Sequence, residues 1–252
     1  MRALRPILVA AGLVVLWQAA VLVTRVPAYI LPSPLAVLQA GLANTPLLLM
    51  HATVTGGEIL AGFLLGAALG STTAIAMARF AMVRHWVLPV VVASQAVPVF
   101  ALAPVLVLWL GYGPASKVAM AVLVIYFPVT AAFLDGLRRT DPGWLDLATV
   151  MGARAWAVMR WIRIPAALPA LGSGLRMAAA IAPIGAVIGE WVGSSAGLGY
   201  LMLQANARLK VDLMFAALAL LAAMGLILFF AVDWAVRRAV PWQAESTSSE
   251  GP

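Results

Sequence analysis

The sequence contains no cysteine, and only 10% of its 252 residues are charged. The missing cysteine excludes disulfides, thiolate metal sites and a cysteine nucleophile. A soluble domain usually carries about 25% charged residues, so this chain has too little polar surface to cover a water-soluble fold. With 64% hydrophobic residues and a mean hydropathy of +1.02, the chain is predicted to lie in lipid.

Lysine is also scarce, with only Lys117 and Lys210 in the chain. A phosphate-binding P-loop needs Gly-x4-Gly-Lys-Ser/Thr. Around Lys117 the chain has Ser116 where the glycine is required and Val118 where a hydroxyl residue is required. HExxH, GxSxG and paired carboxylates are not visible either, so we expect no enzymatic site and no cofactor on this chain.

Long apolar runs are what the sequence does contain. A spanning helix needs roughly 20 apolar residues, which predicts an all-α, multi-pass membrane protein. A single membrane domain over 1–242 is expected, with a short surface helix at 34–43 and a disordered polar tail at 243–252. The six predicted spans are 6–24, 56–78 (with a possible start near 46), 86–110, 117–137, 166–191 and 213–236.

The distribution of basic residues predicts the orientation of these spans. If the N-terminus is inside, eleven arginines lie on the inner side and four basic residues on the outer side. Inner loops carry the excess of Lys and Arg, so both termini are expected in the cytoplasm. The net charge of +7 therefore fits membrane loops and does not indicate nucleic-acid binding. The two histidines fall on opposite sides, so no metal site is expected.

Two carboxylates fall within the spans or at their ends. Glu58 lies in the second span, and Glu190 lies near the outer end of the fifth. An acid at membrane depth is costly, so each is a candidate for the translocation path. For Glu190 a hydrogen bond into the following "GSSAGLGY" loop is an equal alternative. Arg176, inside the fifth span, is expected to extend its side chain to the cytoplasmic face.

The third span is interrupted by Pro98 and Pro104, which predict kinks. Broken helices in membranes often line cavities. Ser94 and Gln95 stand just before the first kink and are candidates for the translocation path. A structural hydrogen bond between helices is the alternative explanation for Gln95.

Glycines recur every fourth residue in two spans. This spacing lets helix backbones approach closely, which indicates either tight static packing or an interface that slides or rocks. The positions are Gly62, Gly66 and Gly70 in the second span, and Gly185, Gly189, Gly193 and Gly197 at the end of the fifth.

The stretch "DLATVMGARAWAVMRWIRIP" (146–165) is less apolar than its surroundings. We predict one helix beginning at Asp141, a turn at Gly152 with positive φ, and a second helix that ends at Pro165. Its apolar face is an interfacial face on lipid or a docking surface for a soluble partner. The residues of that face are Ala155, Val158, Met159 and Ile162.

The same stretch resembles the EAA motif, E-A-A-x3-G-x9-I-x-L-P, of permease subunits of bacterial binding-protein-dependent ABC importers. The spacing matches throughout, with Asp for Glu at 146, Leu for Ala at 147 and Ile for Leu at 164. Segments 98–117 and 189–207 resemble the sulfonate, taurine and nitrate branch of that family. The residues that carry the motif are Asp146, Ala148, Gly152, Ile162, Ile164 and Pro165.

The resemblance implies a type I importer permease in the bacterial inner membrane, acting as a homodimer with a cytoplasmic ATPase subunit and a periplasmic substrate-binding protein. The loop at about 138–165 would form the coupling helices, with Gly152 as the bend, Asp146 as a polar contact and Ala148 entering a groove of the ATPase. Arg154, Arg160 and Arg163 would pair with ATPase acids or lipid headgroups. The implied coupling residues are Asp146, Ala148, Gly152, Arg154, Ile162 and Pro165.

The segment "GEWVGSSAGLGYLM", with "MFAAL" near 214–218, most resembles permeases for the hydroxymethylpyrimidine precursor of thiamine. Sulfonate, taurine and nitrate stay as alternative substrates. A stand-alone secondary transporter using Glu58 or Glu190 is the alternative class of function.

Overall fold

The computed structural model describes residues 4–242, and their side chains from residue 8 onward. The tail predicted at 243–252 lies outside the described residues. Within the described range the chain is helical and contains no strand. The helices are α1 (Leu4–Thr24), α2 (Pro34–Ala43), α3 (Thr45–Arg79), α4 (Ala81–Ala93), α5 (Val99–Leu110), α6 (Pro114–Arg138), α7 (Pro142–Val150), α8 (Ala155–Val158), a π-helical turn (Met159–Arg163), α9 (Ile164–Gly193), α10 (Leu198–Ala207) and α11 (Val211–Ala239).

Four helices of the described chain are long and apolar enough to cross a membrane: α3, α6, α11 and the continuous helix Ala155–Gly193 that contains α9. The second span does begin early, at Thr45, as the sequence allowed. The surface helix α2 has the predicted bounds, and the Ser33 side chain caps it by accepting a hydrogen bond from the Ala36 N–H at 3.2 Å.

The third predicted span, 86–110, is not one kinked helix but two short helices, α4 and α5. The helix α4 ends at Ala93, and α5 begins after Pro98, which is its N-cap. Pro98 has no N–H to donate, and a proline also disfavours helical geometry in the residue before it. The break at 94–98 therefore replaces the kink predicted there, whereas Pro104 stays inside α5.

The helix prediction at Pro165 was wrong, because the helix does not end there. One helix runs from Ala155 to Gly193 through the π-helical turn, in which the Ile164 N–H donates to the carbonyl of Met159. A proline removes one i→i−4 hydrogen bond, and a π-turn directly before it absorbs that irregularity without ending the helix. The loop segment is therefore rigidly continuous with the fifth crossing.

The helix α6 lies between α3 and α9 and forms the centre of the bundle. A Cβ placed on Gly62 of α3 would lie 2.4 Å from the Cβ of Ala121, and one placed on Gly185 of α9 would lie 2.7 Å from the Cα of the same alanine. Both spacings are shorter than real side chains permit, so the glycines are what allow three backbones to meet at Ala121. The two glycine repeats thus serve tight packing in this structure.

Arg176 pairs with an acidic residue near the loop end of α11. Its Nε donates to Oδ1 of Asp233 on α11 at 2.6 Å, and Oδ2 of Asp233 accepts from Nε of Arg237 at 2.9 Å. The ion pair between α9 and α11 gives the arginine a counter-charge, which lowers the cost of holding it in a spanning helix.

We predict that Gly62→Ala lowers stability, whereas Gly57→Ala does not. The added methyl group at 62 would overlap Ala121, at a cost of about 1–3 kcal/mol for an overpacked core. Gly57 is on the same helix, and nothing lies within 4 Å of a Cβ placed there. Melting temperatures of the two variants in detergent check this, and equal values would contradict the packing described for α3 and α6.

Candidate functional site

The loop between α6 and α9 is held in shape by two local devices. At the start of α7, the Asp141 side chain accepts a hydrogen bond from the Gly143 N–H at 2.7 Å. At its end, Gly152 has φ of +70°, as predicted for the turn. The Gly152 N–H donates to the carbonyl of Thr149 at 3.0 Å, and the Ala153 N–H donates to the carbonyl of Ala148 at 2.9 Å. These paired bonds are a Schellman motif, which needs a left-handed residue at Gly152.

The outer surface of this loop is apolar and flanked by charges. Val150 is 86% exposed, and Met151 and Trp156 beside it are also exposed. Asp146 and Arg154 are exposed on either side of the turn. Exposed apolar side chains grouped in this way, with charges at the rim, are typical of a protein-binding surface.

The predicted apolar face of the second loop helix packs mainly on the protein itself. Met159 is buried among the ends of α3 and α6, in a cluster that includes Met77 and Phe133. Val158 and Ile162 are half-buried, and only Ala155 is exposed. The face therefore lies on the bundle, which leaves the opposite side of the loop as the free surface.

Ala148 is not placed to enter a partner's groove. It is only 5% exposed, and it lines a groove of about 900 Å³ between α7 and the start of the long helix, together with Ile162 and Pro165. Trp242, near the end of the described chain, lines the same groove. Of the six predicted coupling residues, Ala148, Ile162 and Pro165 thus shape the loop from within, while the other three face outward.

A buried polar cluster lies at the opposite end of the bundle, around the N-terminus of α10. The Glu190 side chain, in a residue that is 1% exposed, accepts hydrogen bonds from the backbone N–H groups of Gly199 at 2.5 Å and Tyr200 at 3.3 Å. Gly197 precedes the helix with φ of +110°, and a Cβ there would lie 2.2 Å from Cδ of Glu190. Of the two roles considered for Glu190, the hydrogen bond into the loop is present in the structure.

Two residues of α3 complete the cap of α10. Nδ1 of His51 accepts from the Gly197 N–H at 2.9 Å, and Oγ1 of Thr55 accepts from the Leu198 N–H at 2.7 Å. The Thr55 hydroxyl in turn donates to Oε1 of Glu190 at 2.6 Å. All four N–H groups that a helix start leaves without an internal partner are satisfied by buried side chains.

Lys117 stands beside this cluster and is only 2% exposed. Its ammonium donates to the carbonyls of Tyr112, of Gly113 at 3.0 Å, and of Gly193 at the end of α9. The sequence interpretation treated Lys117 only as an outer-loop residue and a failed P-loop lysine. Its burial follows from Gly189, whose missing side chain leaves room for the lysine: a Cβ there would lie 2.9 Å from the Cα of Lys117.

Glu58 joins the cluster from α3 and is 5% exposed. It lies within interaction range of both Glu190 and Lys117, and its Oε2 has no hydrogen-bond partner among the described residues. The sequence interpretation saw no paired carboxylates, but the fold pairs Glu58 with Glu190. Two helices distant in sequence supply them, so no local spacing could have revealed the pair.

Ser94 and Gln95 lie apart, in the break between α4 and α5, and both are exposed. The Ser94 hydroxyl donates to the carbonyl of Val91 at 2.7 Å, which is a local contact. Within the described part of the chain no hydrogen bond links either residue to Glu58 or Glu190. The four residues proposed for the translocation path thus form two separate groups.

A family model described as "Binding-protein-dependent transport system inner membrane component" matches residues 62–243, which include the whole loop and the long helix. The chain belongs to this family. The resemblance of the 146–165 stretch to the EAA motif is thereby confirmed at the level of the family.

Three relatives match nearly the whole chain. A probable ABC transporter permease protein of Haemophilus influenzae is 52% identical and covers 94% of this chain and 97% of its own length. The formylaminopyrimidine transport permease protein ThiX of Halalkalibacterium halodurans is 35% identical, over 96% and 97%. The riboflavin transport system permease protein RibX of Chloroflexus aurantiacus is 36% identical, over 92% and 87%. Permeases named for aliphatic sulfonates and taurine match at lower identity, which supports the predicted branch.

Among solved structures, an inward-facing MetNI methionine ABC transporter matches with a TM-score of 0.68 at 20% identity, covering 79% of this chain and 98% of that chain. This similarity shows the fold, which is that of a type I ABC importer permease. The family match and the relatives identify the chain as a membrane-embedded permease subunit of an ABC importer.

We predict that Glu190→Gln destabilises the protein and that Glu58→Gln does not. An amide nitrogen at 190 cannot accept the bonds that the carboxylate receives, at a cost of about 1–3 kcal/mol. An amide at 58 removes one of two adjacent like charges, and the positive charge of Lys117 is still balanced by the carboxylate of Glu190. Melting temperatures in detergent test this pair, and a larger loss for Glu58→Gln would show that the cap of α10 is not the main role of Glu190.

Proposed function

We propose that this chain forms the translocation path of an ATP-driven importer as a homodimer, takes its solute from a periplasmic binding protein, and is driven by a separate cytoplasmic ATPase. The observation that carries the proposal is the rigid, outward-facing loop surface at 144–156. Its shape is fixed by the turn at Gly152, and its apolar side chains Val150, Met151 and Trp156 are exposed in the described chain. Such a surface is suited to bind a soluble subunit.

The continuous helix Ala155–Gly193 gives the loop a mechanical connection to the far end of the bundle. Movement of the loop is movement of α9, and α9 carries Glu190, which holds α10. Closure of the ATPase on ATP would therefore reposition the opposite face of the permease by a rigid-body shift. Both termini are assigned to the cytoplasm by the excess of arginine at the loop end.

For the solute, we propose a pyrimidine precursor of thiamine. Two relatives at 35% and 36% identity are named for formylaminopyrimidine and riboflavin, and both compounds contain a pyrimidine ring. Sulfonate, taurine and nitrate stay as alternatives. They rank behind the pyrimidine because the permeases named for aliphatic sulfonates and taurine are more distant relatives.

We expect Asp146→Arg to abolish co-purification of the ATPase and solute uptake while the protein still inserts in the membrane. The substitution reverses the charge at the rim of the loop surface without touching the buried core, because Asp146 is exposed. Arg208→Asp is the matched control for ATPase co-purification, since it reverses an exposed charge at the opposite end of the bundle. Normal ATPase association in the Asp146 variant would contradict the proposed grip.

The solute is tested with the transporter reconstituted from this chain, its ATPase and its binding protein. Binding protein loaded with hydroxymethylpyrimidine or formylaminopyrimidine should stimulate ATP hydrolysis, and binding protein mixed with taurine or nitrate should not. Uptake by this chain alone, driven by an ion gradient, would support a secondary transporter instead.

A further inference from the structure

A second cavity lies at the loop end of the bundle, beside the groove that contains Ala148. Its volume is about 440 Å³, and it is an open cavity bordered by the end of α3, one side of α7 and the start of the long helix. Arg79, Thr149 and Arg163 are its polar lining residues, and the rest of its lining is apolar. No acidic residue of the described chain lines it.

The two arginines have no anionic partner in the described part of the protein. Nε of Arg163 is buried and makes no hydrogen bond. The Arg79 guanidinium lies over the ring of Phe80, at 5.1 Å from the ring centroid, and neither arginine is in an ion pair with a described residue. Arg176 differs from these two arginines, since it is paired with Asp233. A buried guanidinium donor without an acceptor is costly, so this cavity favours an anion.

The position of the cavity indicates which anion. Arg79 is the last residue of α3, and Arg163 directly precedes α9, so both stand where spanning helices leave the apolar layer. Phosphate groups are concentrated at that depth of a phospholipid bilayer. A guanidinium presents several N–H donors in a planar fork that matches phosphate oxygens, and two of them around one cavity suit a single phosphate.

We propose that this cavity binds a phosphate group between Arg79 and Arg163, supplied by the headgroup of an anionic phospholipid in the adjacent leaflet. The bound phosphate joins the end of α3 to the π-helical turn that carries the loop. It thereby holds the loop against the bundle from the side opposite its free surface. All of its lining residues belong to this chain, so lipid binding can be measured without the ATPase.

The test is native mass spectrometry of the delipidated full-length chain, titrated with phosphatidylglycerol. One lipid should bind tightly to the wild type. Arg163→Gln and Arg79→Gln should each weaken it roughly tenfold, as expected for loss of a charge-assisted hydrogen bond. The lipid affinity of Arg163→Lys should lie between those of the wild type and Arg163→Gln, since lysine keeps the positive charge but lacks the planar guanidinium donors. Arg160→Gln is the matched control, because Arg160 is in the same π-helical turn but does not line the cavity.

Further arms identify the source of the phosphate. Diacylglycerol, which lacks the phosphate, should not bind at this site; binding equal to that of phosphatidylglycerol would overturn the proposal. Specific binding of inorganic phosphate without lipid would keep the phosphate site and overturn the lipid source. Arg79 is exposed, so Arg79→Gln remains informative even if the Arg163 variant fails to fold. Unchanged lipid binding in both variants, with loss of ATPase association, would assign the arginines to acidic side chains of that partner.

Discussion

The structure depends on one constraint: backbone N–H and C=O groups that leave water must find partners inside the protein. The start of α10 shows the constraint most clearly, because side chains from α3 and α9 accept all four of its free N–H groups. The Lys117 ammonium has the complementary role, because it donates hydrogen bonds to free carbonyls just after α5 and at the end of α9. Charged and polar residues that look misplaced in an apolar chain are thus the partners that helix ends require.

The same constraint explains why the polar cluster carries both signs of charge. A carboxylate suits N–H groups, and an ammonium suits carbonyls, so capping two kinds of helix end brings Glu190 and Lys117 to one place. Glu58 is the exception, since one of its oxygens has no hydrogen-bond partner among the described residues. Lys117 supplies the opposite charge beside that carboxyl group, whereas Glu190 has the same charge and repels its ionised form.

Features that are set by residues close together in the sequence were predictable. The bounds of α2, the early start of α3 and the positive φ at Gly152 follow from local apolar runs, prolines and glycines. The pairing of Arg176 with Asp233 was not, because it joins two crossings that the sequence does not relate. The π-helical turn was missed for another reason: Pro165 looks like a helix end unless the preceding turn is known to widen. Among the candidate coupling residues, Ala148 was expected to be free to enter a groove of the ATPase. Its burial could not be predicted, because it depends on how α7 packs against the start of the long helix.

Polar anchors at both ends of α9 oppose sliding at the glycine interfaces. Near the loop end, Arg176 is bonded to Asp233 of α11, and at the far end Glu190 is bonded to Thr55 of α3 and to the start of α10. Sliding of α9 along its neighbours would break these buried hydrogen bonds, each of which is expensive to leave unmade. Movement of α3, α9, α10 and α11 together keeps them. The loop at 138–165 is joined to this cross-linked set of helices through the continuous helix Ala155–Gly193.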